Sequence, residues 1–197
     1  MRRRIERLCH LAEADNLVSI LNHGLMSTER LVRLAGISEP ASTALLRTHR
    51  PDNVRLRTGV VIRDQRPMPP AALAGALEDG LDPADWYALL NGFVFLWPDR
   101  ERMDRQRRAC GSRPQVVLTF DSTALLEQFQ AEAFVSPINS GNARRKAAQR
   151  GRKTFVPYAT WSRQGWPTGR PGRAPAEFLF RCTIPSRAPY VIDIADA

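Results

Sequence analysis

Short apolar runs separated by turns and charged stretches set the rhythm of this chain. Leu8 to Leu11, with His10 at its centre, predicts a first strand. Asp15 then stands where a cap would be. Leu17, Ile20 and Leu21 fall on one face of a short helix through Asn22 or His23, which Gly24 stops. Ser27 or Thr28 starts a second helix ending at Gly36, and a third covers about 39–48 before the turn "HRPDN". "VRLRTGVVIRDQRPMPP" alternates and ends in prolines, which predicts strand and then ordered loop. A helix follows over 70–79. "DPADWYALLN" predicts another, with Asp82 at the cap, Pro83 at the first helical position and Asp85 three residues past the cap.

In the second half, "GFVFLWP" is a buried strand, 98–109 a charged helix, "PQVVLTFDS" a buried strand and "TALLEQF" a short helix. "EAFVSPIN" enters a long loop, and "AEFLFRCTIP" is a strand near the C-terminal end. Strands and helices mix without a regular βα repeat, so the expected fold class is α+β. The 197 residues suffice for one domain with a substantial core, with a basic loop at about 140–155.

Charge changes the picture. The net charge is +9 and nearly every basic residue is arginine, Lys146 and Lys153 being the exceptions. Codon bias in a GC-rich genome accounts for part of the arginine preference but not for the excess of positive charge, which favours a polyanionic partner. Residues 143–153, "ARRKAAQRGRK", hold six basic side chains: Arg144, Arg145, Lys146, Arg150, Arg152 and Lys153. The run is either a solvated helix or a flexible arm. Phe155, Tyr158, Trp161 and Trp166 follow, and basic residues with interleaved rings suit single-stranded DNA or RNA. Alternatively, Trp161 and Trp166 close a loop over the core.

Familiar chemistry is missing. There is no GxGxxG, Walker loop, HExxH or GxSxG. Three scattered cysteines form no CxxC pair, and His10, His23 and His49 stand in unlike contexts, so no metal is expected. No apolar run approaches the roughly 18–20 residues of a membrane span, and no signal-peptide core follows the basic N-terminus. The expectation is a cytoplasmic monomer. Taken alone, His10 is more often a satisfied core histidine than a ligand-binding one. Glu177, in "PAEFLF", is more often a solvent-facing strand residue.

Together these residues resemble the ADP-ribosyltransferase fold, and in particular the DarT-type toxins that modify DNA. The opening "HLAEADNLVSILNHGLMS" is similar to the first motif of those toxins through His10, Asp15-Asn16, Ile20-Leu21 and His23-Gly24-Leu25. "GFVFLWPDRERM" falls where they have an aromatic second strand. "SPINSGNA" resembles their turn before the substrate loop. "PAEFLF" with "TIP" resembles the segment bearing their catalytic glutamate. "VIRDQRPM" and "SPINSG" further resemble an uncharacterised group of bacterial domains. The resemblance runs in order over most of the chain, each motif being short.

It implies one domain with a split central sheet, NAD as ADP-ribose donor and Glu177 as the catalytic residue. It implies a cofactor set of His10, Leu11, Ser27, Arg63, Phe95 and Trp97. His10 would hydrogen-bond the adenosine ribose, the backbone beside it, at Leu11, would hold the nicotinamide amide, and Phe95 or Trp97 would stack on the nicotinamide ring. Glu177 would hydrogen-bond the nicotinamide ribose and stabilise an oxocarbenium-like transition state. Arg63, or second Arg66, would meet the phosphates; equally, Arg63 suits a structural pair with Asp64 or another acid. Pro175 stands where arginine-directed transferases carry a second glutamate, which argues against an arginine acceptor; no residue that would activate a nucleic-acid base stands out, and it is the basic run with its following rings that favours such a base as acceptor. An antitoxin protein is a further implied partner. Two alternatives remain: a non-catalytic nucleic-acid-binding module, and an NAD hydrolase or a phosphate-transferring relative acting on RNA ends.

Overall fold

A computed structural model describes residues 5–144, 147–167 and 174–197. The chain runs β1 (Arg7–Glu13), a 3-10 turn (Ala14–Asn16; two more follow at Gln130–Glu132 and Arg152–Thr154), α1 (Leu17–His23), α2 (Thr28–Leu34), α3 (Ala41–Arg47), β2 (Val54–Arg55) and β3 (Val61–Ile62). Then come α4 (Pro70–Ala74), α5 (Pro83–Asn91), β4 (Val94–Leu96), α6 (Arg100–Ala109), β5 (Gln115–Asp121) and α7 (Ser122–Phe129). The chain closes with β6 (Ala133–Ser136), β7 (Val156–Pro157), α8 (Tyr158–Gln164), β8 (Glu177–Phe180) and β9 (Val191–Asp196). This is an α+β fold whose strand pairings are antiparallel.

Two sheets carry the structure. One has the order β1-β5-β9, the other β4-β8-β6-β7. They meet where Cys9 of β1 and Trp97, just past β4, exchange backbone hydrogen bonds of 2.9 and 2.8 Å. Beyond that point β1 and β4 part, so the sheets are split. Alternation along β1 and β5 buries both faces. Leu8, Ala12, Val116, Leu118 and Phe120 join the main core between the sheets. Cys9, Leu11 and Val117 point the other way, under Met103 of α6. Phe178 and Phe180 of β8 also enter the main core, whereas Leu179 faces a second cluster around Trp86, Tyr87 and Phe93. No helix of the described residues is long and apolar enough to cross a membrane.

Local sequence explains most starts and stops. Asp82 accepts a hydrogen bond from the Asp85 N–H at 2.8 Å, and Asp85 returns the contact, giving α5 its expected capping box. Gly24 ends α1 at φ +82°, and a Cβ there would stand 2.7 Å from the Ile184 carbonyl. That approach lets Leu25 pair with Ile184 through two backbone hydrogen bonds.

Five expectations need correction. The helix expected over 70–79 ends at Ala74, with Gly75 as its cap. Asp15 does not cap α1: it lies in the 3-10 turn and pairs with Arg55. The neighbouring Asn16 clamps Val61, donating to its carbonyl at 2.8 Å and accepting from its N–H at 2.7 Å. Residues 133–136 are not loop but β6, which pairs with β8 over its whole length. The described part of 143–153 forms no α-helix; it ends in the 3-10 turn Arg152–Thr154. Val191–Asp196, half exposed and acidic, adds an edge strand that the apolar pattern does not mark.

Candidate active site

The split between β1 and β4 opens a cleft of about 290 Å³. His10, Phe95, Trp97 and Glu177 all line it, as do Arg63 and Leu11. His10 projects from β1 at the point of divergence. Its Nδ1 lies 2.8 Å from the Phe95 carbonyl. A carbonyl only accepts, so Nδ1 carries the proton. Desolvation, the Phe95 bond notwithstanding, lowers the His10 pKa to about 4, and the charge of Arg63 works in the same direction. The ring is therefore neutral near pH 7 and presents Nε2 as an acceptor.

Leu11 offers backbone rather than side chain. Its side chain is 1% exposed under α6. In an antiparallel pair, successive residues send their N–H and C=O to alternate edges. Cys9 sends its pair to Trp97, so Leu11 sends its pair to the same edge, where β4 has already turned away.

Glu177 begins β8 opposite Ser136 and shares a face with Leu179, which pairs with Phe95. It is 3% exposed. Burial raises its pKa to about 7; two hydrogen bonds from Ser140, and the charges of Arg102 and Arg150, limit the rise. Ser140 donates from Oγ at 2.6 Å and from its N–H at 3.1 Å, both to Oε2. The carbonyl of Ser140 accepts from Arg150 Nη1 at 3.0 Å, and that of Asn142 from Arg150 Nη2 at 2.9 Å. Arg150 thus ties down the turn that grips Glu177.

At the other end of the cleft, Arg63 donates from Nε to Glu13 at 3.0 Å, the structural pairing open to it from sequence, while also lining the cavity. Glu13 also accepts from Gln115 at 3.2 Å and faces Arg113 at 3.6 Å. Arg66 lies outside the lining and pairs with Asp52 at 2.7 Å.

Three expected site residues do other work. Ser27 is 2% exposed, accepts from the Arg30 N–H at 3.4 Å and caps α2; its neighbours Met26 and Thr28 line the cleft, but it does not. Arg150 is 1% exposed and is spent on backbone carbonyls, so it offers no charge to a polyanion. Trp161 packs into the main core with Trp166, against Phe178, as the loop-closing alternative has it. Arg144, Arg152 and Lys153 are exposed. Arg144 donates to the Arg66 carbonyl at 3.1 Å, beside the cleft wall formed by Pro67 and Asn142. Arg145 and Lys146 lie outside the described residues. Sequence reasoning did not single out Ser140, although it stands inside "SPINSGNA"; the signal was a small hydroxyl residue just past the strand that pairs with the glutamate strand.

A family model matches residues 6–191. The chain belongs to DUF7002, a family of unknown function. No curated protein and no solved structure matches it. In this DUF7002 member the match spans β1 through the start of β9, so it takes in every wall of the cleft.

Proposed function

We propose that the protein is an NAD-dependent ADP-ribosyltransferase acting on a nucleic-acid base. The observation that supports this most is the meeting of His10, Phe95, Trp97 and Glu177 around one cleft, though they come from opposite ends of the chain and its middle. NAD would supply the ADP-ribosyl group: the bond from ribose C1′ to nicotinamide breaks with its electron pair leaving on nicotinamide, and the acceptor bonds to C1′ and releases a proton.

Each residue then has a task that suits its surroundings. Neutral His10 accepts a ribose hydroxyl at Nε2. The Leu11 peptide groups, aimed at the unpaired edge, meet the nicotinamide amide, and Phe95 and Trp97 flank its ring. Glu177, as carboxylate, accepts from the nicotinamide-ribose hydroxyl and offsets positive charge developing on that sugar. Ser140 holds the carboxylate in place and favours its ionised form. The acceptor approaches over the 139–144 turn, where Arg144 supplies exposed positive charge.

The test is to incubate purified protein with NAD and single-stranded DNA and RNA oligonucleotides, following nicotinamide release and oligonucleotide mass. Release with a mass gain of one ADP-ribose is expected. Release without the gain identifies an NAD hydrolase, and absence of both sinks the reading.

A further inference from the structure

Arg50 carries a buried positive charge that lacks a carboxylate partner among the described residues. It follows α3, is 7% exposed and lines the cleft. All three side-chain nitrogens donate to neutral oxygens: Nε to the Arg63 carbonyl at 3.3 Å, Nη1 to the Leu45 carbonyl, and Nη2 to Asn91 Oδ1 at 3.0 Å. The guanidinium is thereby fixed in place; the charge of Asp64 favours its ionised form, but Asp64 makes its ion pair with Arg113 rather than with Arg50. Burial lowers its pKa to about 10, so it remains charged at neutral pH.

The neighbouring acids are already committed. Glu13 meets Arg63 at 3.0 Å and Arg113 at 3.6 Å, and Asp64 meets Arg113 at 3.7 Å. This end of the cleft therefore sets three guanidinium groups against two carboxylates. Glu177 does not redress the balance, since the charges acting on it are those of Arg102 and Arg150. A second observation points the same way: Nη2 of Arg63 is buried with no hydrogen-bond partner. A buried charge with no directly paired carboxylate and a buried donor without an acceptor are both costly, and both are relieved by one anionic group.

We propose that Arg50 and Arg63 form the phosphate-binding end of the cleft, with a phosphate or diphosphate group of the ligand as the counter-ion of Arg50. Guanidinium groups suit such a ligand because each can donate two parallel hydrogen bonds to phosphate oxygens. Arg50 thus joins Arg63 in the part that sequence reasoning gave to Arg63, and replaces the second choice, Arg66. The assignment deepens the dinucleotide reading and rests on it for the source of the phosphate.

The test uses calorimetric titration at fixed ionic strength with inorganic pyrophosphate, NAD and adenosine. The parent protein is expected to bind pyrophosphate and NAD more tightly than adenosine. Arg50→Gln should weaken pyrophosphate binding by roughly tenfold or more, and Arg50→Lys, which keeps the charge, by less. Asn91→Asp keeps Arg50 and places a carboxylate at its Nη2, so it too should weaken pyrophosphate binding by roughly tenfold. A purely structural Arg50 would lower the melting temperature in its variants yet leave the pyrophosphate Kd unchanged, which overturns the proposal. So does failure of the parent to bind pyrophosphate, or parent-like binding by Asn91→Asp should Arg50→Gln not fold. If pyrophosphate binds and NAD does not, the phosphate site stands and the dinucleotide reading falls.

Discussion

Ser140 donates two hydrogen bonds to a single oxygen of Glu177, from its hydroxyl at 2.6 Å and its backbone N–H at 3.1 Å. Both favour the ionised carboxylate, against a burial that favours the protonated one. The outcome is a group whose pKa, about 7, lies where a modest change in surroundings alters its charge.

Ser140→Ala removes the shorter of those bonds and keeps the backbone one. The Glu177 pKa should rise further, because the lost bond favoured the carboxylate. Hydrogen bonds to charged groups are worth about 1.5–3 kcal/mol, so nicotinamide release at pH 7 should fall by roughly tenfold. Much of that loss should return at higher pH. A rate–pH profile of variant and parent decides it: superimposable profiles would show that the hydroxyl does not tune Glu177.

Glu177→Gln retains size and removes the charge proposed to stabilise the developing cation. Nicotinamide release should drop on the order of 100-fold or more. Circular dichroism should report an unchanged fold. Parent-like turnover would remove Glu177 from the chemistry.

Stability against pH offers a check that needs no substrate. The folded pKa of Glu177, about 7, lies above its ordinary 4.5. Its contribution is full below pH 4.5 and is lost as pH rises through 7. His10 is the reverse: its folded pKa of about 4 lies below 6.5, so its contribution is full above pH 6.5 and is lost as pH falls through 4. Between 4.5 and 6.5 the two slopes oppose and largely offset. Glu177→Gln should expose the His10 slope, with stability falling on acidification. His10→Gln should expose the Glu177 slope, with stability falling as pH rises. Urea unfolding at about pH 5 and pH 7 should show changes of opposite sign, on the order of 2 kcal/mol, less for the part-exposed His10. Changes of the same sign in both variants would contradict these assignments.

Elements built on local signals were legible in the chain. β1, β4, β5 and β8 are apolar runs bounded by turns, and α5 announces itself through Asp82, Pro83 and Asp85. β6 was not, because its four residues run straight into a proline turn and gain strand character only by pairing with β8. Of the site, His10, Phe95, Trp97, Arg63 and Glu177 could be named because each stands in an ordered motif. Arg50, Arg113 and Ser140 could not, since what distinguishes them is a partner supplied by tertiary contact, as Asn91 is for Arg50 and Glu177 for Ser140. Arg150 shows the limit most sharply: composition placed it in a solvated basic run, and nothing local marks a guanidinium that will be buried over Trp86.

That difference within one basic run separates two effects of mutation. Arg150 donates to the carbonyls of Ser140, Asn142 and Ala148, so Arg150→Ala leaves three acceptors unpaired and a cavity beside Trp86. It should destabilise the fold by about 3 kcal/mol, and lower activity through the displaced Ser140 turn. Arg144, Arg152 and Lys153 are exposed, and their reversal to Glu should leave the melting temperature within a few degrees. If nucleic acid is the acceptor, that triple reversal should cut single-stranded oligonucleotide affinity by at least roughly tenfold, because each neutralised phosphate releases counterions. NAD affinity should stay unchanged, since none of the three lines the cleft. Fluorescence anisotropy at two salt concentrations measures the first effect and NAD titration the second. Oligonucleotide binding insensitive to both salt and the reversal would make these residues plain surface and send the search for an acceptor to proteins or small molecules.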